Sequence, residues 1–308
     1  MSTSYQRIVP NIWFSHTAEE AGRFYARALP GASSAVESRY PMSGLPDFQL
    51  GLAGEPLTVA LDVEGTRFTL VNAGDEFRPT PAISFLLNVD PSAFAGAEQE
   101  AQDRLDAMWE MLADGGEVRI GLGEHPFSSR YGWIEDRYGV NWQLMLTDPA
   151  GEPRPFVIPA LTFGGAVQDR AAEASDFYVS LFAQSPGGAQ VGIRHPYGVP
   201  TGPARSGALA FGEFRIGDQW FMAVDSGVER PFSFTEGVSL EVRCHGQAEI
   251  DRLWDALSAV PEAEQCGWLK DRYGVSWQIV PDNMDELMSR PHAWERMMSM
   301  RKLVIADF

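Results

Sequence analysis

GWLKDRYGVSWQI, residues 267–279, occurs a second time as GWIEDRYGVNWQL, residues 132–144. Nine of the thirteen positions are identical, so this is an internal repeat that divides the chain into two equivalent halves. Each copy reads as a β-hairpin. Trp268 and Leu269 end one strand. Asp271 and Gly274 frame a tight turn, where glycine is free to take positive φ. Residues 275–280 form a second strand of β-branched and aromatic residues. Alternation puts Ser276, Gln278 and Val280 on one face and Val275, Trp277 and Ile279 on the other. Gln278 and Gln143 therefore hold equivalent positions.

A length of 308 residues suits two domains, and an apolar fraction of 44% supplies two ordinary cores. The net charge of −18 argues against binding nucleic acid or an anionic membrane surface, which reward Lys and Arg. Two cysteines, Cys244 and Cys266, are too few for a secreted disulfide framework, so a reducing cytoplasm is expected. The first thirteen residues carry no basic-then-apolar signal pattern, and no apolar run is long enough to span a membrane.

Taken in order, the chain predicts a strand at 8–14, then a helix with Thr17 as N-cap and Glu20 completing a capping box. Ala18, Ala21, Phe24, Tyr25, Ala28 and Leu29 form its buried face. A strand at 35–39, a Gly/Pro-rich loop at 41–56 and strands at 57–63 and 67–72 complete a β-α-β-β-β unit. The order repeats, with a strand at 82–89, a helix marked by Ala101, Leu105, Met108, Trp109 and Leu112, and the hairpin. The second half retraces the first. Phe177-Tyr178 mirrors Phe24-Tyr25, Asp169 stands as a helix cap, and a Gly/Pro-rich loop at 195–207 matches 41–56. The expected divisions are a domain at 1–148, a linker at 149–155, a second domain at 156–281 and a C-terminal helical tail at 282–308 with a Met-rich apolar face. The helices alternate with antiparallel-style strand runs rather than single strands, which excludes a Rossmann-type parallel sheet, and no Gly-x-Gly-x-x-Gly follows a strand.

Paired β-α-β-β-β units, a Phe-Tyr in the first helix and the Asp-x-x-Gly-Val-x-Trp hairpin resemble the vicinal-oxygen-chelate superfamily, the fold of glyoxalase I, extradiol dioxygenases and bleomycin-resistance proteins. The stretch 267–281 and the tail 297–308, MMSMRKLVIADF, are similar to the PhnB-like branch, often labelled 3-demethylubiquinone-9 3-methyltransferase-like. The resemblance implies an α+β fold of four βαβββ modules, arranged as two tandem glyoxalase-like domains with a C-terminal helix. Each half is expected to curl an eight-stranded incomplete barrel around a cavity, with the fused chain acting as its own pseudo-dimer or forming a homodimer.

Metal enzymes of this superfamily hold a divalent ion with His, Gln or Glu. Carried over by position, those places fall on Asn11, Ser84, Gln143 and the neighbourhood of Phe68 and Leu70 in the first half. In the second half they fall on Ala160, Ser239, Gln278 and 220–222. A divalent ion wants three or four imidazole, thiolate or carboxylate groups, so neither a metal nor another cofactor is expected. Methyl transfer of the usual kind needs a parallel sheet with a Gly-rich first loop, which leaves that activity resting on the family label.

The expectation is metal-free binding of a small apolar or aromatic molecule in a domain cavity. The alternative is a lyase, isomerase or dioxygenase of the same superfamily with a non-standard site. Candidate ligand contacts are Asn11, Trp13, Ser84, Gln143, Ser239, Glu241 and Gln278, with His195 from the second Gly/Pro-rich loop and Arg39 and Arg194 flanking the two loops. Glu241 shares a strand face with Ser239 and is a general-base candidate; pairing with Arg243 or Lys270 is its plain structural alternative. His195 is the other catalytic candidate. Asp136 and Asp271 read as turn residues.

Overall fold

The computed structural model describes residues 6–94, 96–229 and 231–308. Residues 1–5, part of the stretch inspected for a targeting signal, lie outside the described residues. Three modules have the expected order. The first is β1 (Ile8–Ser15), α1 (Ala18–Ala28), β2 (Ser33–Arg39), β3 (Pro56–Val63) and β4 (Thr66–Ala73). The second is β5 (Ile83–Val89), α2 (Glu98–Ala113), β6 (Glu117–His125), β7 (Ser128–Glu135) and β8 (Asn141–Leu146). The third is β9 (Val157–Phe163), α3 (Ala171–Leu181), β10 (Ala189–Pro196), β11 (Leu209–Ile216) and β12 (Gln219–Asp225).

The fourth module is one strand shorter: β13 (Val238–Cys244), α4 (Gln247–Leu257), β14 (Trp268–Lys270) and β15 (Ser276–Pro281). After α4 the chain turns at Pro261, and Cys266 takes positive φ (53°). The backbone N–H groups of Cys266 and Gly267 then bond to the carbonyls of Met300 and Arg301, so the tail occupies backbone groups near that edge.

The strands form two mixed sheets, ordered β14-β15-β13-β1-β4-β3-β2 and β10-β11-β12-β9-β5-β8-β7-β6. The first sheet thus joins module one to module four, and the second joins module two to module three. Antiparallel seams between β1 and β13 and between β5 and β9 make the joins. This corrects the expectation that each half curls its own eight-stranded barrel. The opening strand of every module has a free edge, and those edges are satisfied across the halves rather than within them.

What ties the two sheets to each other is the repeated hairpin. Asp136 is buried, and its carboxylate accepts the Tyr25 hydroxyl (2.7 Å), the Trp142 indole N–H (2.8 Å) and the backbone N–H groups of Tyr138 (2.8 Å) and Val140 (3.1 Å). Asp271 accepts the equivalent set: Tyr178 hydroxyl (2.7 Å), Trp277 indole (2.9 Å), Tyr273 N–H (2.8 Å) and Val275 N–H (3.1 Å). Four donors fill the acceptor positions of each carboxylate. The rest of the motif reaches the same helix. Arg137 lies over Phe24 and Arg272 over Phe177, while the Tyr138 and Tyr273 hydroxyls donate to Glu20 (2.9 Å) and Glu173 (3.0 Å). Gly139 and Gly274 take φ near +85°, closing the turns that Asp136 and Asp271 begin. The aspartates are therefore turn residues and also inter-sheet pins, the second role being one the turn reading leaves out.

Two expected caps are replaced. Thr17 makes no side-chain cap bond, and the partner expected for it, Glu20, is held by Tyr138. The first N–H of α1 goes instead to Asn72 on β4 (3.2 Å), and that of α3 to Asp225 on β12 (3.0 Å) rather than to Asp169. Both helix starts are buried against a strand, which supplies the acceptor. The single C-terminal helix also resolves into two, α5 (Met284–Met288) and α6 (Ala293–Ser299), broken at Pro291 with His292 at positive φ. Trp294, Met297 and Met298 pack on Tyr40, Leu45 and Leu52 beyond β2, and Leu287 and Leu303 pack near Val280 on β15.

Burial raises the Tyr25 and Tyr178 hydroxyl pKa well above the ordinary 10, and the neighbouring Asp charges add to it. The native chain therefore holds protons that the unfolded chain releases. Stability is full below pH 10 and falls as pH rises above it. A melting temperature steady up to about pH 9.5 and falling steeply above 10 is expected, with a shallower fall in Tyr25→Phe/Tyr178→Phe. Each single replacement costs about 1.5–3 kcal/mol at neutral pH, checked by denaturant unfolding.

Candidate functional site

Each sheet has one face covered by helices. On β1, Ile8, Ile12 and Phe14 enter the core with α1, so Val9, Asn11 and Trp13 occupy the helix-free face. Register carries that face across the seven-stranded sheet. Lys270, Ser276, Ser239, Asn11, Thr69, Ala60 and Ala35 form one cross-strand row, and Trp268, Gln278, Glu241 and Val9 the next. In the eight-stranded sheet the equivalent rows are Ser84, Ala160, Met222 and Glu213, then Trp133, Gln143, Leu86 and Ile158.

The structure brings together five of the sequence candidates, Asn11, Trp13, Ser239, Glu241 and Gln278, on the seven-stranded sheet. Gln278 donates to Ser239 (2.9 Å). Asn11 donates to Glu241 (3.1 Å), whose other oxygen accepts Arg243 Nε (2.8 Å). Lys270 pairs instead with Glu236 (2.8 Å). Trp13 donates its indole N–H to the Gly74 carbonyl (2.9 Å) and stands 6.1 Å, ring to ring, from Trp268. Strands β1 and β14 are three strand spacings apart, about 14 Å on a flat sheet, so the large side chains lean together over this face.

Ser84 and Gln143 meet on the other sheet, where Gln143 donates to Ser84 (2.8 Å) and accepts the Tyr131 hydroxyl (2.7 Å). Around them lies an apolar cluster separate from the main core: Leu86, Ile158, Ala160 and Met222, with Ile120, Met145, Phe211, Trp220 and Val224 partly exposed. Arg154 stacks on the Trp220 face (4.1 Å) and grips Glu213 (3.1 Å) at its border. Phe127 is 64% exposed beside Tyr131 (5.0 Å).

The remaining candidates stand apart. His195 is on β10 rather than in a loop, exposed, with its ring 6.1 Å from Phe211. Its neighbour Arg194 points the other way and is committed to α3, bonding Asp176 (2.7 Å), Ser175 (2.7 Å) and the Ala172 carbonyl (3.2 Å). Arg39 is exposed and donates to the Gly54 carbonyl (3.0 Å). Sequence reading missed Thr69, Tyr131 and Phe211, whereas Met222 lies within the expected 220–222. The fourth-strand position expected at Phe68 or Leu70 falls on Thr69, because Phe68 and Leu70 are fully buried on the helix side.

The four positions that face one another are Asn11, Thr69, Ser239 and Gln278 on one sheet, and Ala160, Met222, Ser84 and Gln143 on the other. Hydroxyls, amides, a methyl and a thioether do not fit a divalent ion, and the nearby carboxylate of Glu241 is held by Arg243 and Asn11. Among the described residues no three His, Cys, Asp or Glu groups converge.

Two mixed sheets assembled from repeated modules, with helices on one face of each, make a glyoxalase-like fold. The chain belongs to the PhnB-like family described as 3-demethylubiquinone-9 3-methyltransferase, whose model matches it twice, over residues 6–145 and 155–280. The PhnB protein from Bacillus cereus is 28% identical over 46% of this chain and 100% of its own, with a TM-score of 0.38. A glyoxalase I mutant from Zea mays is 11% identical over 93% of this chain and 96% of its own, with a TM-score of 0.50. The fosfomycin resistance protein from Listeria monocytogenes is 8% identical over 45% of this chain and 86% of its own, with a TM-score of 0.28. No curated protein matches the chain. No helix among the described residues is long and apolar enough to cross a membrane.

Gln278→Leu removes the 2.9 Å bond and leaves the buried Ser239 hydroxyl without it. A loss of about 1–2 kcal/mol in denaturant unfolding is expected; an unchanged midpoint would show that the amide contributes nothing to the sheet.

Proposed function

We propose that the protein binds a small, largely apolar molecule without a metal, on the helix-free face of the eight-stranded sheet. The supporting observation is the second apolar cluster itself. Aromatic, Met and Leu side chains gather there outside the main core, around one connected polar group of Tyr131, Gln143 and Ser84. Ligand sites have this composition: an apolar lining with a few placed polar groups that set orientation. Met145 and Met222 suit a lining that adapts to ligand shape. The Tyr131–Gln143–Ser84 chain supplies hydrogen bonding but no nucleophile–base pair, which favours binding over catalysis. The methyl transfer in the family description rests on that description alone. Each sheet draws one module from each half, in keeping with a chain that acts as its own pseudo-dimer.

The neutral fluorescent probe N-phenyl-1-naphthylamine is expected to bind saturably, one molecule per chain. Phe211→Lys places a charge among partly exposed apolar residues. It is expected to weaken binding about tenfold or more while the melting temperature stays within about 3 °C. Absence of saturable binding to the wild type, or equal affinity in the variant, overturns the proposal.

A further inference from the structure

Where the two halves of the chain meet, a cleft of about 170 Å³ opens between the turn that joins β3 to β4 and the turn that joins β11 to β12. That is several times the ~30 Å³ a water occupies, so the cleft has room for a small molecule. Its parts come from equivalent points of the repeat: Glu64 and Thr66 on one side, Asp218 and Trp220 on the other. Val157 and Pro159 at the start of β9, both buried, line its inner end. Two glutamine amides set the walls. Gln219 accepts the Ile8 N–H (2.7 Å) and donates to the Ile8 carbonyl (2.6 Å). Gln6 accepts the Arg67 N–H (2.6 Å) and donates to the Arg67 carbonyl (2.9 Å). The walls are thus fixed before anything enters, which lowers the ordering cost of binding.

We propose that this cleft binds a short-chain primary amine. An ammonium group offers three donors and no acceptor, and the cleft supplies acceptors. Among the described residues the Thr66 hydroxyl has no hydrogen-bond partner and Glu64 has no ion pair. Asp218 adds a second acidic residue across the opening. The guanidiniums nearby already face carboxylates: Arg67 with Glu37 (2.6 Å), Arg154 with Glu213 (3.1 Å) and Arg215 with Asp218 (3.9 Å). An anion would therefore meet unpaired acid and no unpaired base, and the net charge of −18 concentrates cations around the chain. Methylenes behind the ammonium find Val157, Pro159 and the Trp220 indole.

The cleft shares Trp220 with the apolar cluster, and the test leaves that residue unchanged, so the two proposals fail independently. The full chain is titrated calorimetrically with n-butylamine, cadaverine and n-butanol at neutral pH. Both amines are expected to bind saturably and the alcohol not to. Glu64→Gln/Thr66→Val is expected to weaken amine binding about tenfold or more, through loss of a charged and a neutral acceptor. It should melt within about 3 °C of the wild type, because neither side chain has a partner in the fold to lose, and should bind N-phenyl-1-naphthylamine unchanged. Glu98→Gln/Glu100→Gln, which removes two exposed charges from α2, should leave amine affinity within about twofold. Absence of saturable amine binding overturns the proposal, as does undiminished binding in the cleft variant. Equal binding of the alcohol, or an equal loss in the α2 variant, also overturns it, since apolar contact or net charge alone would then account for the affinity. A larger fall in melting temperature overturns it as well, because Glu64 and Thr66 would then serve the fold.

Discussion

Two buried carboxylates hold this architecture together. Asp136 and Asp271 each gather a helix tyrosine, a strand tryptophan and two turn amides onto one pair of oxygens. Burial pushes both carboxyls upward in pKa, and the four donors oppose it. Removing a carboxylate would strand four donors at once, so the motif is more demanding than its turn geometry alone suggests. It also explains why Phe-Tyr in the helix and Asp-Arg-Tyr in the hairpin occur together in both halves. Arg covers the Phe, Asp takes the Tyr hydroxyl, and the motif Tyr reaches a helix Glu.

These pins run from one sheet's modules to the other's. Tyr25 belongs to the module that builds the seven-stranded sheet, and Asp136 to one that builds the eight-stranded sheet; Tyr178 and Asp271 reverse the assignment. Backbone ladders therefore join the two halves of the chain, while carboxylate pins join the two sheets. Neither half can complete its hydrogen bonding alone. The C-terminal segment adds a third tie, linking β15 to the loop beyond β2 and bonding to the backbone beside the shortened module.

The repeat is symmetric in its pins but not in its faces. Equivalent strand positions hold Asn11 and Ala160, and Thr69 and Met222, so one sheet presents a polar row and the other an apolar cluster. A duplicated frame whose stability rests on the hairpin leaves the helix-free faces free to diverge, because residues there carry little of the core.

The sequence by itself determined the elements. The repeated hairpin, the helical spacing of Phe24-Tyr25 and Phe177-Tyr178 and the period-two strands mark the module order and the family, because these signals are local and periodic. It also placed Asn11, Ser239 and Gln278, and Ser84 and Gln143, at equivalent strand points. Only the tertiary structure decided which modules share a sheet, since strand pairing is chosen by free edges far apart in the chain. The same long-range packing moved the helix caps to Asn72 and Asp225, turned Arg194 onto α3 and put Thr69 rather than Phe68 or Leu70 opposite Asn11. It also gave Asp136 and Asp271 their second role: a turn is legible over four residues, whereas the tyrosine that completes each pin lies about a hundred residues away.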